Sequence, residues 1–275
     1  LLSNFTADTF WLATSVLVPA LLLGLIGLWD DLKNLKPLPR FIAQTVAGLF
    51  TAAVLILGNN VGNPTGSQIF DSIITVIWVV GICNSINFFD NLDGGAAGTV
   101  AISSIALAIL ALNGDQYLIA ALSTVTAGAT LGFLVWNKSP AKIYMGDAGA
   151  LFLGVLLATL TVRFEPNTQT QIGSYLIPIL LLAIPILDTT VAVLSRVRRH
   201  VSTFQGGQDH LSHRLIRAGL SRKQAAFCLW SLSAFFAAVA ILISTTSTSV
   251  ESYIVTGVGL LWVILFMLFF RTRDS

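Results

Sequence analysis

Two aspartates stand side by side, Asp30 and Asp31, in the segment GLWDDLKNLKP. Adjacent carboxylates supply hard oxygen ligands, so the pair suits Mg²⁺ or a diphosphate held through it. The competing reading is an ion pair with Lys33 or Lys36. A second polar group follows in CNSINFFDNLDGG. Asn84, Asn87, Asp90 and Asn91 are spaced three, three and one, which puts them on one helical face. Asp93 follows Asp90 at i+3, and the glycines after it let the backbone turn or approach a ligand closely. This is more polarity than a helix cap needs. Asp147 stands between Gly146 and Gly149 where a new apolar run begins. An acid there suits the helix dipole, while Lys142 and the free N–H groups of the helix start could hold phosphate. Asp188 lies inside an apolar run, a costly position that marks a functional site unless a buried partner such as Arg196 offsets it. His210 and His213, in QDHLSHRL, are three apart. With Asp209 they make an incomplete metal set, so phosphate contact or proton transfer fits them better. His200, beside Arg198 and Arg199, reads as part of a basic surface near anionic lipid headgroups.

The elements that must position these groups follow from composition. Of 275 residues, 55% are apolar and 10% charged, against about 25% charged in a soluble domain. Mean hydropathy is +0.82. The chain reads as an all-α polytopic membrane protein. A crossing helix needs about 20 apolar residues, and that window predicts nine spans, at 9–28, 41–58, 69–86, 96–113, 117–136, 148–164, 173–194, 224–245 and 252–270. Lipid satisfies no backbone hydrogen bonds, so these spans must be helices, and the alternation of a β-barrel is missing. We read 1–275 as a single integral-membrane domain with one long polar loop, 195–223. Fourteen of the fifteen basic residues fall in loops on one side, and only Arg163 falls on the other. The positive-inside rule makes that side cytoplasmic, with the N-terminus outside and the C-terminus inside. Asp8, Asp71, Asp115, Glu165 and Glu251 then read as solvated outer charges. Asp30, Asp31, Asp90, Asp93, Asp147, Asp188 and Asp209 gather at the cytoplasmic helix ends, and Asp274 is tail. A net charge of +2 gives no reason to expect nucleic acid. Cys83 and Cys228 form no CxxC pair. The chain opens on Leu1 without a cleavable signal pattern, and we expect residues to be missing before it.

In order, GLWDDLKNLKP, NSINFFDNLDGGAAG, NKSPAKIYMGDAGALFLG, PILDTTVAVLSRVRR and FQGGQDHLSHRL resemble the motifs of the polyprenyl-phosphate N-acetylhexosamine-1-phosphate transferases. The resemblance covers the whole chain and is nearest to the GlcNAc-1-phosphate branch, with the first two family helices absent. It implies transfer of a sugar 1-phosphate from a UDP-sugar to undecaprenyl or another polyprenyl phosphate, with release of UMP and use of Mg²⁺, Mn²⁺ being the alternative ion. It places Asp30 and Asp31 at the lipid-phosphate and metal end, and gives Asp147 as the principal metal ligand. Asp90 matches the base or, in a two-step scheme, the nucleophile. Asp93, Asn137 and Tyr144 match uridine contacts, Asn87 a diphosphate or metal-shell partner, and His210 and His213 the sugar and diphosphate end. It also implies the bacterial plasma membrane with a cytoplasmic site, and is compatible with a homodimer. Two positions depart from the family pattern: Asn91 where glycine is usual, and Ser212 where a histidine is usual. The lack of a contiguous triple histidine favours GlcNAc over MurNAc-pentapeptide as the sugar.

The chemistry agrees with the charge map. Two polyanions, one soluble and one anchored in lipid, must meet at the cytoplasmic interface. A divalent ion there would neutralise the diphosphate, and clustered carboxylates can poise Asp90 to take a proton. A secondary transporter would instead place its polar groups near the midplane, where only Asp188 comes close. A structural scaffold would not need seven acids on one face.

Overall fold

The computed structural model describes residues 7–202 and 207–272. Arg273, Asp274 and the Phe204–Gly206 part of the FQGGQDHLSHRL motif lie outside the described residues. Eleven α-helices and no strand occur among the described residues. They are α1 (Ala7–Lys33), α2 (Pro37–Leu57), α3 (Gln68–Phe89), α4 (Gly95–Asn113), α5 (Tyr117–Asn137), α6 (Gly146–Arg163), α7 (Gln171–Leu181), α8 (Ala183–Arg198), α9 (Leu211–Arg217), α10 (Arg222–Thr245) and α11 (Thr248–Arg271).

Eight of these helices are long and apolar enough to cross a membrane, and α7 with α8 makes a ninth crossing if the pair counts as one. The sequence predicts that crossing as one helix over 173–194. Instead it breaks at Leu182 and bends by 74°. Pro185 explains why the helix restarts there. It falls in the first turn of α8, where its missing N–H costs nothing, whereas an uninterrupted helix would need that donor. Ser103 Oγ donates to the Leu181 carbonyl at 2.6 Å, so one acceptor freed by the break is satisfied. The loop read as 195–223 contains a short helix, α9.

Chain contacts divide the molecule into two compact units. The first comprises Leu1–Asn87, Leu107–Val125 and Met145–Pro166. Its post is α6, buried from Ala150 through Thr161 with one half-buried exception, Phe152, and α1 packs along it. The close approach depends on Gly27, where a Cβ would stand 2.3 Å from the Asp147 carbonyl oxygen. The second unit comprises Phe88–Ala106, Thr126–Tyr144 and Asn167–Ser275. There α10 packs on α7, α8 and α9 around Leu187, Val191, Leu211, Leu229 and Phe236, all fully buried. Large apolar side chains such as Leu25, Ile77, Val125 and Leu260 remain mostly exposed. Such a surface suits lipid and would be a liability in water.

Two of the acids expected to be solvated are not. Asp71 is buried and accepts from the backbone N–H and the hydroxyl of Thr65 at 2.8 and 2.7 Å. Glu251 is buried and accepts from the Thr170 hydroxyl. Asp71 is thus met by a threonine six residues back, and Glu251 by one 81 residues away in sequence, partners invisible to a charge count.

Candidate active site

The first constellation belongs to the first unit. Asp30 and Asp31 lie in the last turn of α1, and the chain then turns through Asn34 (φ +51°) into the Pro37 start of α2. That turn brings Arg40 back over the carboxylates. Its Nη1 lies 2.7 Å from Asp30 Oδ2 and 2.6 Å from Asp147 Oδ2. The cation beside Asp30 is therefore an arginine one turn into the next helix, and not Lys33 or Lys36, the partners that the competing reading offered. Asp147 Oδ1 accepts from Asn87 Nδ2 at 2.6 Å. One turn back along α3, Asn84 Nδ2 donates to Gln44 Oε1 at 2.7 Å, extending the polar face expected from the spacing.

Asp31 does something different. Its two oxygens accept the N–H groups of Asp147 and Ala148 at 2.9 and 3.0 Å, so it caps α6 from outside. The carboxylate fits because Gly146 has φ +64° and no Cβ; one would sit 2.7 Å from Asp31 Oδ2. The helix start that the sequence offered to phosphate is thus taken by Asp31. Lys142 lies 5.3 Å above the Trp136 ring, a cation–π contact.

A divalent cation fits this chemistry in part. Asp30 Oδ2 is buried and, although close to Arg40, accepts no well-directed hydrogen bond. It converges with Asp147 Oδ2 on one cationic nitrogen, an arrangement of hard oxygens that suits Mg²⁺. Among the described residues no three His, Cys, Asp or Glu side chains meet at one point. The fit rests on Asp30 and Asp147, with Asp31 turned to α6.

The second constellation belongs to the second unit. Asp90 is half-exposed in the turn that closes α3. Asp93 Oδ2 accepts the Ala141 N–H at 3.2 Å. Asn137, only 2% exposed, accepts the Gly94 N–H at 3.0 Å and donates to the Ile143 carbonyl at 2.9 Å. It is a brace between the Asp93 turn and the loop bearing Tyr144, and its amide is used on both sides. Tyr144 is 76% exposed and presents its ring as a free platform. Trp230 on α10 donates to the Gly94 carbonyl at 3.1 Å, a support with no signal in the sequence.

The histidines meet the same unit. His210 Nδ1 lies 2.7 Å from Asp188 Oδ2, so the partner of Asp188 is a histidine and not Arg196, the alternative that the sequence left open. Arg196 pairs instead with Asp209 at 2.8 Å, and Arg199 pairs with the other oxygen of that carboxylate. Asp209 is therefore committed away from the histidines, which removes the weak metal set. Burial alone would raise the Asp209 carboxyl, but the two guanidinium groups outweigh it and hold it below the usual carboxylate range. His213 is half-buried. Burial first, with the nearby positive charge of Arg217 adding to it, lowers its basicity and favours the neutral ring. The two departures from the family pattern are bonded to each other, with the Ser212 hydroxyl donating to Asn91 Oδ1.

Residues 13–165 match the model of glycosyl transferase family 4. The chain is 32% identical over 247 residues to the probable undecaprenyl-phosphate N-acetylglucosaminyl 1-phosphate transferase of Bacillus subtilis (strain 168), covering 88% of this chain and 69% of that protein. It is 32% identical over 278 residues to the decaprenyl-phosphate N-acetylglucosaminephosphotransferase of Mycobacterium tuberculosis (strain ATCC 25618 / H37Rv), covering 90% and 69%. A phospho-N-acetylmuramoyl-pentapeptide-transferase of Streptococcus agalactiae serotype III (strain NEM316) is 28% identical over 265 residues, covering 91% and 78%.

Proposed function

From the premise that this chain belongs to glycosyl transferase family 4, we propose that it moves N-acetylglucosamine 1-phosphate from UDP-N-acetylglucosamine to a polyprenyl phosphate. An oxygen of the acceptor phosphate attacks the sugar-bearing phosphorus. The bond from that phosphorus to the oxygen bridging the two phosphates breaks, and UMP leaves. We assign the protein to the bacterial plasma membrane, with its N-terminus outside and its chemistry on the cytoplasmic side, as the basic loops support.

The observation that carries the reading is the convergence of Asp30 Oδ2 and Asp147 Oδ2 on Arg40 Nη1. It occurs in a chain whose GlcNAc-1-phosphate relatives align over about nine-tenths of its length. In this reading Asp147 and Asp30 hold Mg²⁺, which when bound would offset diphosphate charge and improve the leaving group. Asn87 orients Asp147 through its 2.6 Å hydrogen bond. Asp31 fixes the start of α6, so the Asp147 backbone stays in place. Asp90 takes the remaining proton of the acceptor phosphate. Tyr144 stacks on uracil, and Asp93 and Asn137 hold the loop that presents it. His213 and Lys142 meet the sugar and diphosphate oxygens, with His210 beside His213.

The test is a reconstituted full-length protein given undecaprenyl phosphate, Mg²⁺ and a panel of UDP-sugars, with UMP release as readout. Asp90→Asn is expected to stay folded and lose about 10²- to 10⁴-fold in turnover. Asp147→Ala that released UMP normally would overturn the metal assignment. Preference for UDP-MurNAc-pentapeptide would overturn the sugar, and substrate uptake into proteoliposomes without UMP would overturn the reaction class.

A further inference from the structure

The helix α9 opens at His210, whose own side chain does not cap it. The cap comes from α8. Asp188 is fully buried, and its Oδ1 accepts the Leu211 N–H at 2.6 Å while its Oδ2 faces His210 Nδ1 at 2.7 Å. An ionised carboxylate only accepts, so Nδ1 must carry the ring proton. On the opposite edge, Nε2 lies 3.5 Å from Arg196 Nη2, a group that only donates. The lone pair therefore belongs on Nε2. Phe88 packs edge-on against the ring, with centroids 6.0 Å apart, which limits its rotation.

We propose that Asp188 is the positioning residue of the histidine segment: it holds His210 as the neutral Nδ1–H tautomer and seats the first turn of α9, so that His213 is presented to the substrate. A cap for α9 alone would need only the bond to Leu211. The second oxygen, spent on the imidazole, selects a tautomer as well as a position. The segment is fastened again between the two histidines, where Ser212 bonds Asn91 in the turn that carries Asp90 and Asp93. His213 follows with its ring centroid 6.4 Å from that of His210. The activity part of this proposal rests on the transferase reading; the tautomer part does not.

Histidines are few, three in these 275 residues, so ¹⁵N-histidine labelling of the full-length protein in lipid can resolve single rings, with His210 assigned by its loss in His210→Gln. The expected signature at neutral pH is a neutral ring protonated at Nδ1. An Nε2–H ring or an imidazolium would overturn the proposal. In Asp188→Asn, whichever way the amide lies, one of the two contacts sets a donor against a donor. We expect kcat for UMP release to fall about 10- to 100-fold with KM for the UDP-sugar nearly unchanged. A folded Asp188→Asn with full turnover would overturn the positioning role. If that variant does not fold, as thermal unfolding would reveal, the tautomer of the unmodified protein decides. If the unmodified protein releases no UMP from any UDP-sugar, the transferase reading falls and the tautomer measurement still judges Asp188.

Discussion

Asp209 spends its charge on Arg196 and Arg199, and that commitment has a measurable pH signature. Its carboxyl is lowered from an ordinary value of 3.8. A lowered folded value means the stabilisation is complete above the unfolded value and is lost as pH falls through the folded one. Asp209→Asn is expected to cost on the order of 3 kcal/mol at neutral pH, because two guanidinium groups lose their anion in a mostly buried setting. The melting-temperature gap between the two proteins should hold steady from pH 7 down to about 5 and close below about pH 4. A gap unchanged at pH 3 would mean the pairing does not carry the effect. At this scale the sequence named most of the acids that matter but not their partners. Arg40 counted only as a topology charge, because nothing in spacing says that a turn will fold it back onto Asp30 and Asp147. The partner of Asp188 was equally hidden, since His210 lies 22 residues away in sequence.

Helix contacts set a second kind of constraint. Gly27 lets α1 lie against the first turn of α6, at the residue that carries the Asp147 carboxylate. Gly27→Ala places a methyl group 2.3 Å from a backbone oxygen that cannot swing away. It is expected to cost about 1–3 kcal/mol and to lower turnover with it, because Asp147 moves with its backbone. Gly128→Ala is the control. No atom beyond its own helix backbone lies within 4 Å of where its Cβ would be, so its melting temperature should equal or exceed the parent's, alanine being the better helix former. An unaltered Gly27→Ala would show that α1 and α6 part there without penalty. Helix existence and order were legible from the apolar windows. The break at Leu182 was not, because hydropathy averages over a window and is blind to a single proline in the wrong register for continuity.

At the scale of the molecule, the sorting of basic residues makes a directional claim. In a Cys83→Ser, Cys228→Ser background, Lys138→Cys should react with an impermeant maleimide only in inverted vesicles, and Asn167→Cys only in right-side-out ones. The reverse pattern would invert the topology and move the proposed chemistry outside. The membrane class and the transferase family were readable from composition and from five ordered motifs, because both are carried by residue type and order alone. What needed coordinates was the division of labour among the charges. Arg214, for instance, reads as one more loop cation, yet it is 1% exposed and donates to the Ser195 hydroxyl and to the carbonyls of Asp209, Phe269 and Thr272. Two of those acceptors lie at the end of the last helix. During synthesis, a chain still on the ribosome and short of Phe269 would hold a guanidinium destined for burial without its final acceptors. The helix that carries His213, although translated earlier, therefore gains its last hydrogen-bond acceptors only when residues 269–272 have been made and folded against it.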